Sequence, residues 1–130
     1  MADRRHSLLI VEDAEALRRI VSRHLRAIGY AVDEASSAEA AVEAIGNGLR
    51  PDLVILDLNL PGDTGWSFLR GPAMAAAGDP PVIVTSATTV SPRRLAEFRV
   101  AGYLPKPFPL ETLVASIERV ISEEGSTPRP

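Results

Sequence analysis

The sequence contains no cysteine, and this absence excludes several kinds of chemistry. Without thiols the chain can form neither disulfide bonds nor a zinc site with cysteine ligands, and it has no thiolate nucleophile. Aromatic residues make up only 5% of the chain. No apolar run approaches the roughly 20 residues that a membrane-spanning helix needs, and the polar first residues do not form a signal peptide. We therefore expect a cytoplasmic protein with no membrane contact.

A basic excess is also lacking. The 14 basic and 17 acidic residues give a net charge of -3, which argues against broad nucleic-acid binding by the chain itself. The length of 130 residues suggests one domain. A hydrophobic fraction of 45% is enough to build a core for a domain of that size.

Short apolar runs alternate along the chain with segments that have the periodicity of a helix. Five strands are predicted, at 7–11, 30–35, 53–57, 80–86 and 102–104. Such alternation is typical of an α/β domain with a parallel sheet. We assign the domain to residues 7–122, with a short lead at 1–6 and a loose tail at 123–130.

Two helices are predicted before the third strand. The first begins near Ala14 and ends at Gly29. Ser36 and Glu39 have the spacing of a capping box that opens the second helix. The first helix is expected to have an apolar face and an exposed face that carries four arginines. The apolar face consists of Leu17, Ile20, Val21, Leu25 and Ile28, and the exposed face carries Arg18, Arg19, Arg23 and Arg26.

Two later helices are expected to be irregular. Gly71-Pro72 interrupts the third helix, because a proline inside a helix removes a hydrogen bond and clashes with the preceding turn. The segment between Ser86 and Lys106 is short, so the fourth helix should be short as well. Ser91 is the expected N-cap of that helix, with a proline in its first turn.

Polar residues follow four of the predicted strands at the point where each strand ends. In a doubly wound parallel sheet these ends meet at one edge, where the functional crevice lies. Three carboxylates, two hydroxyls and one lysine should therefore converge there. They belong to Glu12, Asp13, Asp57, Thr85, Ser86 and Lys106.

This group of side chains suggests a particular chemistry. Three neighbouring carboxylates repel one another unless a cation neutralises them, and oxygen ligands without histidine or cysteine favour Mg²⁺ over zinc. A hard cation beside a lysine and a hydroxyl can hold a phosphoryl group. Asp57 would supply the attacking oxygen and become an aspartyl phosphate.

The motifs resemble those of the response-regulator receiver domain, the CheY-like family of bacterial two-component signalling, over about residues 7–122. The matching segments are the acidic pair in 10–13, the acceptor acid in 56–62, the hydroxyl and small residue at 86–87, the aromatic at 103, and the lysine and proline at 106–107. The resemblance implies a flavodoxin-like, doubly wound, five-stranded parallel sheet in the order 2-1-3-4-5, with five helices and, here, an interrupted third helix. It also implies a cis bond before Pro107.

The resemblance assigns a role to each residue. Asp57 is the phospho-acceptor, and Lys106 pairs with Asp57 and then with the phosphate. Ser86 moves to a phosphate oxygen, and Tyr103 swings inward as the second switch residue. Mg²⁺, with Mn²⁺ as a substitute, is held by the following groups: the carboxylates of Glu12, Asp13 and Asp57, and the backbone carbonyl of Asn59.

The resemblance also implies a phosphorelay switch that catalyses only its own phosphorylation and dephosphorylation, and is not an enzyme with an external substrate. The phosphoryl group would come from a sensor histidine kinase or a histidine phosphotransfer protein, which the family docks on the first helix. Phosphorylation would change the surface of the fourth helix, fifth strand and fifth helix. That surface could contact an unknown output partner or form a homodimer, and no direct nucleic-acid contact is expected.

Several alternatives stay open at this point. The chain could be a receiver cut from a longer DNA-binding regulator or hybrid kinase, a degenerate receiver that acts by binding, or an aspartyl-phosphate phosphohydrolase. The last class has an acid two residues after its nucleophile, where this chain has Asn59. Individual residues also have simpler readings: Glu12 and Asp13 could cap the first helix, and Tyr103 could be a packing residue.

Overall fold

A computed structural model describes residues 6–61 and 64–126 of the chain. The strands are β1 (Ser7–Val11), β2 (Ala31–Ala35), β3 (Leu53–Asp57), β4 (Val82–Ser86) and β5 (Gly102–Pro105). The helical segments are α1 (Glu15–Ala27), α2 (Ala38–Gly46), α3 (Thr64–Arg70), α4 (Pro72–Ala76), α5 (Pro92–Glu97) and α6 (Leu110–Ser126). The strands are parallel and form one sheet in the order β2-β1-β3-β4-β5. This confirms the predicted flavodoxin-like α/β fold.

Alternate residues of each central strand point to opposite faces of the sheet, so each strand contributes to two hydrophobic clusters. In β1, Leu9 and Val11 belong to one cluster, and Leu8 and Ile10 belong to the other. The strands β3 and β4 alternate in the same way. Helices α2, α3 and α4 supply the first cluster, and α1 and α6 supply the second. Because both faces are covered, β3 and β4 are buried along their whole length.

The predicted apolar face of α1 is wrong at two positions. Val21 and Leu25 are buried, but Ile20 is 57% exposed and Ile28 is 48% exposed. Ile20 precedes Val21 by one residue, which places it about 100° around the helix from the buried stripe. The buried stripe includes the polar Ser22 instead, a residue that a search for apolar periodicity does not select.

The predicted capping box of α2 is also wrong. Ser37, not Ser36, is the N-cap, and its hydroxyl accepts a hydrogen bond from the backbone N–H of Ala40 at 3.0 Å. The helix therefore begins one residue later than the capping box requires. A cap needs an extended backbone before the first helical residue, and Ser37 has it, with φ -155° and ψ 164°.

The interruption of the third helix is confirmed. α3 ends at Arg70, and Gly71 becomes the extended N-cap of α4, with Pro72 in the first turn. The fourth predicted helix is short, as expected: α5 has six residues, and Ser91 caps it by accepting from Arg94 N–H. The last helix, α6, runs to Ser126, and so includes residues that the sequence assigned to the tail. Residues 1–5 and 127–130 of the predicted lead and tail lie outside the described residues.

Candidate functional site

Asp57 lies at the carboxyl end of β3, where the buried strand meets the loop that follows it. Its side chain is only 2% exposed. Oδ1 accepts a hydrogen bond from the backbone N–H of Asn59 at 2.9 Å, and the N–H of Leu58 donates to Thr85 O at 2.9 Å. The carboxylate is therefore fixed at the rim of the sheet by the loop that begins beneath it.

Glu12 and Asp13 bring two further carboxylates to the same rim from the end of β1. Glu12 is buried, and its Oε2 accepts from the N–H of Ala14 at 3.1 Å, whereas Asp13 is exposed. One carboxylate oxygen from each of Glu12, Asp13 and Asp57 lies within 4.8 Å of the other two. The structure thus assembles three oxygen donors with the hardness and spacing that suit a divalent cation.

Lys106 supplies the positive charge at this rim. Its Nζ lies 2.9 Å from Glu12 Oε1 and 3.3 Å from Asp57 Oδ2, with 18% of the side chain exposed. The residue is held in place because its N–H donates to Ser86 O at 2.8 Å. The Lys106–Pro107 peptide bond is cis, as the resemblance implied. One ammonium group therefore joins carboxylates from two different strands.

These contacts shift the ionisation of both partners. Burial raises the pKa of Glu12 above its ordinary value, although hydrogen bonds from Lys106 and Ala14 act in the opposite direction. Burial lowers the pKa of Lys106, but the hydrogen bond to Glu12 and the charges of Glu12 and Asp57 outweigh it, so the net pKa is raised. Lys106 is accordingly a cation at neutral pH.

The hydroxyl of Ser86 lies in a small hydrogen-bond network beside the carboxylates. Its Oγ is 3.0 Å from Asn59 Oδ1 and 2.8 Å from the carbonyl oxygen of Thr88, and it accepts from the Thr88 N–H at 3.0 Å. Asn59 Oδ1 also accepts from the N–H of Ala87 at 2.6 Å. This network links the loop after β3 to the loop after β4.

Tyr103 is connected to the same network. Its hydroxyl donates to Thr88 O at 3.3 Å, the carbonyl that also lies beside Ser86 Oγ. The ring is partly buried and packs on the cluster under α2 to α4. Two predicted switch residues, Ser86 and Tyr103, thus share one backbone carbonyl.

Sequence reasoning missed two features of the site. It placed Asn59 beside the phosphate and assigned its backbone carbonyl to the metal, but it did not predict that the side chain contacts Ser86, Ala87 and Thr88 at the end of β4 and in the loop after it. It also placed Arg18 on an exposed face, which is wrong: the side chain is 14% exposed, pairs with Glu34 at 3.0 Å and donates to Glu12 O at 2.9 Å. Glu34 lies on the adjacent strand β2 and pairs with Arg18 of α1. Helical periodicity does not predict this contact. Arg19, Arg23 and Arg26 are exposed.

None of the helices in residues 6–61 and 64–126 combines the length and the apolar character needed to cross a bilayer.

The chain was compared with known proteins. A family model described as the response regulator receiver domain matches residues 8–118. Response regulator MprA of Mycobacterium sp. (strain KMS) is 34% identical over 117 residues, which cover 88% of this chain and 50% of that protein. Transcriptional regulatory protein PrrA of Mycobacterium tuberculosis (strain ATCC 25618 / H37Rv) is 36% identical over 123 residues, covering 92% and 52%. The chain therefore spans about half the length of these curated relatives.

Solved structures of receiver proteins resemble most of the fold. A structure of the Vibrio cholerae chemotaxis protein CheY4 matches with a TM-score of 0.80 at 29% identity, covering 90% of this chain and 99% of that chain. The acidic site, the lysine and the hydroxyl network all lie within the matched family region.

Proposed function

The chain belongs to the response-regulator receiver domain family of two-component phosphorelays, and from this premise we propose that Asp57 is its phospho-acceptor. The donor is a phosphohistidine of a cognate sensor histidine kinase or of a phosphotransfer protein. The observation that carries the proposal is the ammonium group of Lys106, held between two buried carboxylates at 2.9 and 3.3 Å. A receiver domain is a switch and not a classical enzyme, which removes the phosphohydrolase alternative.

The transfer step forms one bond and breaks another. A carboxylate oxygen of Asp57 bonds to phosphorus while the P–N bond of the phosphohistidine breaks, and the imidazole leaves with that electron pair. Lys106 sits 3.3 Å from Asp57 Oδ2 before transfer, and we propose that it pairs with the phosphoryl oxygens afterwards. A fixed cation that lies where negative charge accumulates lowers the barrier without reorganisation.

We further propose that Glu12, Asp13, Asp57 and the backbone carbonyl of Asn59 hold Mg²⁺, or Mn²⁺ in its place. The carboxylate oxygens, all within 4.8 Å of one another, fit such a cation. When bound, the ion neutralises the carboxylates and the charge that gathers on the phosphoryl oxygens. Glu12 and Asp57 also keep Lys106 protonated in its position beside the acceptor.

The switch would operate through the single hydroxyl proton of Ser86. That proton is directed toward Asn59 Oδ1, Thr88 O or Thr88 Oγ1 in this structure. Once Ser86 donates to a phosphoryl oxygen, the loop around Thr88 loses this contact, and Tyr103 loses part of the arrangement that holds its hydroxyl. We propose that the surface of α5, β5 and α6 then changes, which is where an output partner or a second copy would bind.

The experiment that tests this proposal is phosphorylation with Mg²⁺ and a small acyl phosphate, read by intact mass. Asp57→Asn removes the nucleophilic oxygen, so we expect the added phosphoryl mass to disappear. Asp33→Asn makes the same chemical change at an exposed position of β2 and should leave phosphorylation unchanged. Equal phosphoryl mass on Asp57→Asn and wild type would sink the assignment.

A surface beside α1 fits the docking of the donor kinase. A groove of about 410 Å³ is lined by Ile20, Arg23, Ala27 and Leu110, among other residues. Its exposed isoleucine and arginines combine apolar area with positive charge. We expect Arg23→Glu to slow transfer at least tenfold from a phosphorylated histidine kinase that serves the wild type, with transfer from the small acyl phosphate unchanged.

The control for this prediction is a charge reversal elsewhere. Arg93→Glu changes an exposed arginine of α5 and should leave both reactions at the wild-type rate. Slowing of both phosphodonors by Arg23→Glu would indicate a disturbed acceptor site and would contradict a docking role.

A second candidate concerns the output of the switch. MprA and PrrA are named a response regulator and a transcriptional regulatory protein, and the chain matches about half of each. We propose that this receiver controls an output module of the transcriptional kind, whether joined to it or separate. The mass of the native gene product, read by immunoblot with an antibody against this domain, distinguishes these two arrangements.

A further inference from the structure

An arginine–aromatic cluster joins α3 to α5, outside the phosphorylation site. The rings of Trp66 and Phe98 are 4.8 Å apart between centroids. The guanidinium of Arg94 lies 4.4 Å from the Trp66 ring and 5.7 Å from the Phe98 ring, and that of Arg70 lies 5.5 Å from Phe98. The guanidinium groups of Arg70 and Arg94 therefore contact the same ring, that of Phe98, although like charges repel.

Arg94 has no polar partner for its side chain among residues 6–61 and 64–126. Its Nε is buried and makes no hydrogen bond, and no acidic group of that part of the chain lies within ion-pair distance. By contrast, Arg18 and Arg119 each pair with a glutamate. A partly buried guanidinium without an acceptor is costly, and cation–π contact with Trp66 offsets this cost only in part.

A pocket of about 210 Å³ opens beside this guanidinium. Hydroxyl-bearing residues line it, namely Ser86, Thr88, Thr89 and Ser91, together with Arg94 and Trp66. Within the described chain, no carboxylate lines this pocket. The lining thus offers hydrogen-bond donors and one positive charge without an internal counter-ion.

We propose that this pocket, the Arg94 pocket, binds a carboxylate carried by an acidic side chain of a partner protein. The Trp66 ring supports the guanidinium and leaves its N–H groups to pair with a carboxylate. Arg70 and Arg94 lie in a protein whose net charge is -3, so the positive charge is local and selects an acidic segment rather than an extended polyanion. A carboxylate also carries less charge than a phosphate and is repelled less by a phosphoryl group on Asp57.

The Arg94 pocket shares Ser86, Thr88 and Asn59 with the phosphorylation site. If Ser86 turns toward a phosphoryl group, the Thr88 loop and the pocket change together. This coupling rests on the proposed function, and by linkage the acidic ligand and the phosphoryl group would then alter each other's binding by the same factor. The carboxylate site itself does not depend on phosphorylation.

The test uses the unphosphorylated full chain and a capped tetraglutamate peptide, with emission from Trp66, the single tryptophan, as the readout. We expect a saturable emission change, because a carboxylate that pairs with the Arg94 guanidinium changes the charge next to the Trp66 ring. Arg94→Gln should weaken binding at least tenfold. Arg93→Gln, the same change at the exposed neighbouring position, should leave binding unchanged. The Nε–H resonance of Arg94 in a ¹⁵N–¹H spectrum reports the same event on the unmodified protein, independently of any folding defect in the variant.

The outcomes separate this inference from the proposed function. Peptide binding that persists in Asp57→Asn supports the Arg94 pocket even if phosphorylation fails. Free glutarate that binds as tightly as the peptide would contradict the proposal that the bound carboxylate belongs to a side chain of a partner protein. Tighter binding of inorganic phosphate or of single-stranded DNA than of the peptide would contradict a carboxylate as the ligand. Equal peptide binding by Arg94→Gln and Arg93→Gln would contradict the location of the site at Arg94.

Discussion

The two faces of the sheet are covered by helices of different length. One face carries α1 and α6, with 13 and 17 residues. The other carries α2, α3, α4 and α5, with nine, seven, five and six residues. Isolated helices below about 12–15 residues are marginal in water, so the short helices depend more on tertiary packing than the long ones.

The difference in helix length goes with a difference in how firmly the two faces are packed. The long-helix face holds fully buried side chains such as Leu25, Leu113 and Ile117 and can act as a fixed frame. On the short-helix face, α5 buries no residue completely, and it contacts the partly buried ring of Trp66 and the loop at Thr88. Elements with few buried contacts are the ones that move at low cost, so we expect a phosphoryl signal to spread across that face.

The largest expected effect is a loss of stability on the frame side. Ile117 is 0% exposed in α6, so Ile117→Ala leaves a cavity and should lower the free energy of unfolding by about 2–5 kcal/mol. Urea denaturation measures it. At low temperature, where the variant stays folded, its Trp66 response to beryllofluoride with Mg²⁺ should match the wild type.

Val42→Ala is the control for that change, because Val42 is 47% exposed on α2 and should shift stability by no more than about 0.5 kcal/mol. An altered Trp66 response in a folded Ile117→Ala protein would show that the face under α1 and α6 takes part in the response, and would contradict its role as a fixed frame.

A smaller loss of stability, with a change of signalling, is expected at Gly65. A Cβ there would lie 2.9 Å from Asp57 O and 2.9 Å from Leu58 Cα, both backbone atoms. Gly65→Ala should therefore push α3 away from the acceptor strand, cost about 1–3 kcal/mol and slow phosphorylation by the small acyl phosphate. Stopped-flow recording of Trp66 emission and urea denaturation measure the two effects.

Gly46 offers a matched control at the end of α2. A Cβ meets nothing within 4 Å there, so Gly46→Ala should be neutral or stabilise by about 0.4–1 kcal/mol with the wild-type phosphorylation rate. If both alanine variants behaved alike, the close approach of α3 to the acceptor strand would have no role.

The smallest stability effect, and the most selective one, is expected for Ser86→Ala. Only the hydrogen bonds of one hydroxyl are lost, about 0.5–1.5 kcal/mol by thermal unfolding. Phosphorylation of Asp57 should remain measurable by intact mass, while the Trp66 response to it falls. Thr89→Ala, which removes an exposed hydroxyl from the same loop, should keep the response. A full response in Ser86→Ala would mean that the signal takes another route.

Much of the fold could be predicted because it depends on local pattern. The strands at 7–11 and 53–57 were predicted with the observed bounds, since apolar runs that end in acids define them. The break at Gly71-Pro72 and the cap at Ser91 follow from properties of single residues. Ile20 was wrongly assigned to the buried face, because a shift of one residue around the helix changes which side chain faces the core. Ser36 was wrongly assigned as the cap, because the helix begins one residue later. Local propensity does not determine either shift.

Which residues meet at the site was predictable, but not how they pair. Parallel strands place their carboxyl ends at one edge, which predicted that Glu12, Asp57 and Lys106 lie on the same edge of the sheet. Nothing local indicates that Lys106 contacts both acids, that the Asn59 amide contacts Ser86 and Ala87, or that Arg18 reaches the carbonyl of Glu12.

The order of the elements, the burial of the sheet on both faces and the chemical groups at the strand ends follow from the amino-acid sequence, because they depend on periodicity and chain direction. The stacking of Arg94 on Trp66, the exposure of Ile20 and the hydrogen bonds that Ser86 and Tyr103 make to Thr88 depend on tertiary packing. Those contacts join elements far apart in the chain. The distances between the contacting residues depend on how helices of unequal length pack on the two faces of the sheet.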